Sequence, residues 1–292
     1  MRNQVFIISS LVLLLSCQQD SNTMSSLYEL PKKLKEVSGI AYSPEAKLLW
    51  VIQDRGNANA IYGLNESGKI ESNITIQNAT NIDWEDITKD SNGDLYVGDF
   101  GNNENARKDL CIYKVSKDSL QKSAINASYK ISFEYPEQKK FPPKSKDLLY
   151  DVEAFFEYKN NFYLFTKNRS SGFDGTTLLY KVPNNAGFHQ AKLLGKFKTG
   201  GSYKNNAITS ATISPDGSKV VLLCHGKVWL FQDFTGDNFL SGKANELQLN
   251  HFSQKEAICF KDNSTLLIAD EKDKKIGGFV YETTLERLKT QP

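Results

Sequence analysis

The sequence predicts an all-β chain folded as a five-bladed β-propeller, and three observations carry that expectation. Hydrophobic residues make up 39%, charged residues 24% and aromatics 11% of 292 residues, which suits a folded chain and excludes a disordered or collagen-like one. Aromatic and β-branched residues fall in short runs, with no long 3.6-residue period, so strands dominate. One block of strands recurs along the chain. Its equivalent positions 38, 85, 153, 210 and 256 are spaced 47, 68, 57 and 46 residues apart. A four-stranded unit repeated at that interval reads as a propeller blade. A six-bladed alternative needs a further repeat that the sequence does not show.

Each block opens on a short strand: Val37-Ser38-Gly39-Ile40, Trp84-Glu85-Asp86-Ile87, Val152-Glu153-Ala154-Phe155, Thr209-Ser210-Ala211-Thr212 and Lys255-Glu256-Ala257-Ile258. Turns rich in Pro, Gly and Asx follow, such as Asp90-Ser91-Asn92-Gly93 and Ser214-Pro215-Asp216-Gly217, and these close hairpins. The second strands are strongly apolar (Leu49 to Ile52, Leu95 to Val97, Phe162 to Phe165, Val220 to Leu223, Leu266 to Ile268). Third strands begin near Ala60, Leu110, Thr177, Lys227 and Ile276. Fourth strands are expected at 70–76, 129–133, 191–198 and 246–249. The fifth block has no room for one, so the segment Ser26 to Leu30 is expected to complete the last blade and close the ring. The basic, Pro-rich insertion from Pro136 to Lys146 reads as an exposed loop, and Tyr281 to Lys289 as a closing turn or two of helix.

Ahead of the repeats, Arg2 precedes an apolar run of eleven residues, Val5 to Leu15, ending in Ser16-Cys17. That is too short to span a bilayer as a folded helix but suits a signal-peptide core. Residues 1–16 are therefore expected to be a signal peptide, 17–25 a polar tether and 26–292 one propeller domain. Ser16-Cys17 resembles a bacterial lipobox. The resemblance implies cleavage before Cys17, lipidation of its thiol and a chain held to the bacterial cell envelope by lipid, on a side the sequence does not resolve. An ordinary secretory signal is the plainer alternative. Cys111, Cys224 and Cys259 lie in apolar runs without zinc spacing and read as buried free thiols, with a single disulfide as the other option. Lys+Arg minus Asp+Glu is 36 − 34 = +2 with no dominant block of like charge, which argues against nucleic acid as a partner.

Propeller geometry then locates the chemistry. The link into the first strand and the link after the second emerge on one face, so residues at both places meet at one mouth. The first set is Ser38, Glu85, Glu153, Ser210 and Glu256. The second includes Asp54, Arg55, Asp99, Asn102, Asn103, Lys167, Arg169, His225, Asp270 and Glu271. Glu85 to Asp99, Glu153 to Lys167 and Glu256 to Asp270 share a spacing of fourteen. Three glutamates converging on a narrow channel repel unless a proton, a basic side chain or a cation compensates. A hard divalent cation such as Ca²⁺ on Glu85, Glu153 and Glu256 suits an all-oxygen ring. A purely structural ring around water, neutralised by Lys167, Arg169 and Arg55, is the alternative. Asp99 to Asn105 reads as a tight Asx turn, Trp50 and Trp84 as core, and His189 and His251 as outer-strand residues without metal spacing.

The motifs Val37-Ser38-Gly39-Ile40, Asp83-Trp84-Glu85-Asp86-Ile87, Leu95-Tyr96-Val97-Gly98-Asp99-Phe100-Gly101-Asn102-Asn103, Asp151-Val152-Glu153-Ala154-Phe155 and Glu256-Ala257-Ile258 resemble those of secreted bacterial propellers. They are similar to the SdiA-regulated family and, more distantly, to phytase-like and NHL-type propellers. The resemblance implies a propeller over roughly residues 26 to 285 with acidic residues at the channel mouth, which in several such families bind calcium. Ser38 and Ser210 depart from the acidic pattern, and the dense charge clusters of calcium-dependent phytases are missing. Three function readings stay open at this level. One is an envelope propeller binding a small ligand, metal or partner protein at its acidic mouth. The second is a metal-dependent hydrolase of lactonase or phosphoesterase type, with Asp99, Asp270 or His225 as general base. The third is a protein-interaction scaffold without a small-molecule site.

Overall fold

The computed structural model describes residues 23–289. Among the described residues, twenty-two strands run in chain order. After β1 (Ser25–Glu29), the first blade is β2 (Val37–Ser43), β3 (Leu48–Gln53), β4 (Ala60–Leu64) and β5 (Ile70–Ile76). The second is β6 (Trp84–Lys89), β7 (Leu95–Asp99), β8 (Cys111–Val115) and β10 (Tyr129–Glu134), with the short β9 (Ala124–Ile125) on the way. The third is β11 (Asp151–Glu157), β12 (Asn161–Lys167), β13 (Thr176–Pro183) and β15 (Lys192–Lys198), with β14 (Gly187–Gln190) between the last two. Helix α1 (Tyr203–Asn206) leads into the fourth, β16 (Ser210–Ile213), β17 (Val220–Leu223), β18 (Lys227–Gln232) and β19 (Lys243–Gln248). The fifth is β20 (Lys255–Phe260), β21 (Thr265–Asp270) and β22 (Phe279–Thr284), followed by α2 (Leu285–Lys289).

Five blades and an N-terminal closing strand are therefore present as expected. β1 pairs antiparallel with β22, Ser26 opposite Tyr281 and Tyr28 opposite Val280. The fold starts slightly earlier than the sequence suggests. Thr23 and Met24, placed in the expected tether, are buried, and Met24 packs among residues of blades four and five. Cys17 and the expected signal segment lie outside the described residues.

Five hydrophobic clusters fill the five interfaces between successive blades. Period-2 alternation sends neighbouring side chains of one strand into different clusters. On β3, Leu49 and Val51 join the cluster toward blade five, while Trp50 and Ile52 join the one toward blade two. Strands buried on both faces need apolar residues at every position, and this is why the second strands read as unbroken hydrophobic runs. Trp50 and Trp84 are core, and Cys111, Cys224 and Cys259 are free and buried in three separate clusters.

The inner strands meet tightly at the axis. A Cβ added to Gly39 on β2 would lie 2.6 Å from the backbone nitrogen of Ile87 on β6, so glycine permits that approach. Asp86 is buried there and knits strands together. It accepts bonds from the backbone nitrogens of Ile87 (2.9 Å) and Phe155 (3.2 Å) and from the Ser210 hydroxyl (3.1 Å). This buried layer floors a cup that opens on one face.

Candidate functional site

The cup's acidic ring is made by β-bulges. Register slips by one residue between Val37 and Gly39, Trp84 and Asp86, Val152 and Ala154, and Lys255 and Ala257. The residues inside these slips are Ser38, Glu85, Glu153 and Glu256. A bulge places two residues opposite one and re-aims a side chain. On strands whose two faces are both packed, it provides a third direction, toward the axis. The fourth blade departs from the expected ring. β16 keeps a regular register, and Ser210 sits in the floor, donating to Asp86 and accepting from the Ile258 nitrogen at 3.3 Å. Thr209 lines the cup in its place.

The cavity holds about 160 Å³. Ser38, Glu85, Glu153 and Glu256 line it from the bulges. Asp54, Arg169 and Glu271 line it from beyond the second strands, Lys167 from the end of β12, and Asn103 and Gln254 from loops. Of the expected second set, Asp54, Asn103, Lys167, Arg169 and Glu271 thus line the cavity, whereas Arg55, Asp99, Asn102, His225 and Asp270 do not. Asp99 and Asp270 pair directly with Trp84 and Lys255, ahead of the bulges, and their side chains turn away from the cup. Asp270 accepts from the Phe279 nitrogen (2.8 Å) and the Tyr281 hydroxyl (3.0 Å). Asp99 accepts from the Asp83 nitrogen (3.1 Å) and Arg107 (2.9 Å). In blade two Gly101 runs against Glu85, where a Cβ would lie 2.2 Å from Oε1. Asn102 holds backbone: its nitrogen donates to Asp151 at 2.5 Å, its amide to the Tyr150 carbonyl at 3.1 Å, and its Oδ1 accepts from the Arg107 nitrogen. His225 lies at the edge, with Nε2 3.1 Å from Glu256 Oε1.

Electrostatically the cup has two unlike sides. On one, Lys167 reaches Glu153 at 3.0 Å, while Arg169 spans Asp151 (2.5 Å), Glu153 and the Tyr203 hydroxyl. Burial works to raise Glu153, but Lys167 and Arg169 outweigh it and hold the carboxyl below its usual range. Burial and Glu153 push Asp151 up to about 7 against the pull of Arg169. On the other side, oxygens of Asp54, Asp83 and Glu85 all lie within 4.8 Å of one another. The nearest basic group there is Arg55, 3.8 Å from Asp83 and itself more than half exposed. Asp54 and Asp83 share a side-chain hydrogen bond, the behaviour of a carboxyl–carboxylate pair. Burial, then the Asp54 charge, pushes Asp83 up to about 7. Burial, then Glu153, drives Glu85 well above its usual range.

Among the described residues, Ser38 Oγ and Asn103 Oδ1 line the cavity buried and without a hydrogen-bond partner, and Asp83 Oδ1 and Asp99 Oδ2 behind it are likewise unpartnered. A buried polar atom left unpaired costs about 1–3 kcal/mol. Glu85 also lies within 4.8 Å of Asp151 and Glu153, but those two are already neutralised by Lys167 and Arg169. Glu256 belongs to neither carboxylate group. The expected trio of Glu85, Glu153 and Glu256 is therefore divided among different partners, and the least compensated cluster is Asp54, Asp83 and Glu85, with only the exposed Arg55 beside it. Sequence reasoning assigned no role to Asp83 and Asp151. The signal was present as a repeated Asp-x-Glu, Asp83-Trp84-Glu85 and Asp151-Val152-Glu153, at equivalent places of two blades.

No protein-family model matches the chain, and no curated protein matches it. Solved structures do. A chain of a nidogen/laminin complex is 12% identical, with 81% of this chain and 73% of that one covered and a TM-score of 0.47. Kuenenia stuttgartiensis hydrazine synthase is 11% identical, with 80% and 61% covered and a TM-score of 0.41. These two carry no argument. A PQQ-bound aldose sugar dehydrogenase from Streptomyces coelicolor is 9% identical, with 89% and 97% covered and a TM-score of 0.52. At that identity the likeness shows the propeller fold alone.

Proposed function

We propose that this protein is a lipid-anchored propeller of the bacterial envelope whose cup binds a hard divalent cation, Ca²⁺ being the best fit. The observation that carries the reading is a carboxylate cluster, Asp54, Asp83 and Glu85, that only the exposed Arg55 approaches, and of which Asp54 and Glu85 line the same cavity as the unpartnered, buried oxygens of Ser38 and Asn103. An all-oxygen set suits Ca²⁺, which takes roughly 6–8 oxygens, and offers no soft ligand for a thiophilic metal. The proposed ligands are Asp54, Asp83, Glu85, Ser38 and Asn103. The sequence likeness to SdiA-regulated propellers supports an acidic mouth as the working face. Of the three candidate bases for a hydrolase, none lines the cup and His225 reaches it only through Glu256, which supports binding over catalysis. Cup size also bears on the sugar dehydrogenase neighbour. A cavity of about 150 Å³ holds benzene, so this one suits an ion with its shell or a single small ring, not a tricyclic quinone.

The test is calorimetric unfolding of chelator-treated protein with and without Ca²⁺. A cation at a hundred times its Kd adds about 2.7 kcal/mol, so the melting temperature should rise by several degrees. Glu85→Gln, which keeps the volume and removes the charge, should abolish that rise. An unchanged wild-type melting temperature, with Glu85→Gln as stable or more so, would leave a structural ring and overturn the reading.

A further inference from the structure

Cation ligation accounts for one wall of the cup. The opposite wall and the rim have a different chemistry. Glu153 takes one of the three N–H bonds of Lys167, and the Lys167 ammonium lines the cavity with two more to give. Beside it Gln254 offers both an amide donor and a carbonyl acceptor, and Glu256 and Glu271 offer carboxyl oxygens. The cup thus offers both donors and acceptors beyond the carboxylate cluster.

At the rim stand two exposed aromatic rings, each tied to a residue of the cup. Tyr203 is 38% exposed and bonds Arg169 through its hydroxyl. Phe252 is 45% exposed and packs edge-on against His225, the partner of Glu256, with ring centroids 5.8 Å apart. Lys204 lies over the Phe252 ring at 4.8 Å, and Tyr203 meets Arg169 and the edge of Phe173, yet a large part of each ring stays open to solvent beside the polar cavity, where it offers a contact surface.

We infer that the cup takes a polyhydroxylated six-membered ring, with a vicinal diol on the bound cation and the remaining hydroxyls on Lys167 and Gln254. The inference rests on the cation reading. Five side-chain ligands leave about one to three of the 6–8 positions of Ca²⁺ open toward the cavity, and two adjacent hydroxyls chelate two such positions. Lys167 donates to a ring hydroxyl, and Gln254 and Glu256 accept from others. The apolar C–H face of the ring rests on Phe252 and Tyr203. Ser38 supplies the independent sign that the acidic wall receives a ligand. It is 4% exposed, and its Oγ lines the cavity with no partner. The cup of about 160 Å³ takes the cation and the diol edge in place of the cation's outer waters, and the rest of the ring stands at the open rim.

The experiment is isothermal titration of the full chain with methyl mannopyranoside, galactopyranoside and glucopyranoside, in excess Ca²⁺ and again in EGTA. At least one pyranoside should bind in Ca²⁺ and lose binding in EGTA. Phe252→Ala should weaken it about tenfold, while the calcium-dependent melting shift of the same sample reports on its fold. If Ca²⁺ raises the melting temperature but no pyranoside binds, the polyol inference fails and the cation reading stands. If Ca²⁺ itself gives no shift, the cation reading fails and takes this inference with it. Pyranoside binding that persists in EGTA would overturn the chelated geometry.

Discussion

Lys255 precedes the ring glutamate of blade five and is fully buried. Its ammonium reaches the carbonyls of His225 (3.0 Å) and His251 (2.8 Å), His251 Nδ1 (3.0 Å) and Ser253 Oγ (3.0 Å). One side chain thereby gathers the loop that carries Phe252 and Gln254 to the rim. Asp270 on β21 and the Tyr281 ring on β22 face the same ammonium, and the side chain of His225 points on to Glu256. Burial lowers Lys255 to about 8, with Asp270 opposing. Burial and the Lys255 charge lower His251 as well. Between pH 8 and about 10.5 the unfolded chain keeps the lysine proton that the folded chain has released. Stability then rises with pH across that window, because the unfolded state binds more protons. Lys255→Met should flatten this rise in urea titrations run at pH 7.5, 8.5 and 9.5, whatever it does to absolute stability. A slope equal to wild type would show that Lys255 is not the group responsible. The ring itself was legible at this scale through its recurrence. The residue facing was not, because a bulge shifts the alternation by one and leaves no local mark in sequence. That is why Asp99 and Asp270 read as cup residues alongside Glu271, although of these three only Glu271 lines it.

Among the elements, β1 does the most for its length. It pairs with β22, Leu30 donates to the Gly278 carbonyl at 2.7 Å, and the Thr283 hydroxyl donates to the Thr23 carbonyl at 2.5 Å. Deleting residues up to 30 would bare the β22 edge and remove Met24 and Leu30 from two inter-blade clusters. Burial of a side chain of this kind is worth about 1.5–3 kcal/mol. The shortened chain should therefore aggregate or melt well below wild type in light scattering and circular dichroism. A soluble chain of unchanged melting temperature would mean that the ring does not depend on this closure. The repeat pattern located every blade strand, whereas β9 and β14 escaped it. β9 pairs parallel with β5 and β14 parallel with β10, each lent backward to the outer edge of the preceding blade. Segments of two and four residues, one of them polar and exposed, have no periodicity to detect. What places them is the open outer edge they cover.

For the molecule as a whole, the ring of blades and its proposed lipid anchor are separate devices. No described helix is long and apolar enough to cross a membrane. The proposed anchor is the Cys17 lipid. Cys17→Ser should shift the protein from the detergent-rich to the aqueous phase in phase partitioning, or leave it unprocessed, and partitioning unchanged from wild type would remove the anchor. The sequence by itself determined the architecture, because a propeller is built from a repeated local unit. Strand, turn and two-faced apolar strand are each written in a short window, and five copies with one displaced outer strand imply closure. It also determined that acidic residues gather at one mouth, since equivalent positions in a ring must converge. Only the tertiary structure decided which carboxylates are compensated. Glu85, Glu153 and Glu256 are equivalent in sequence, yet Glu153 meets Lys167 and Arg169, Glu256 meets His225, and Glu85 meets Asp83 and Asp54. Charge compensation depends on distances of a few ångströms between blades remote in sequence, and no local pattern records those.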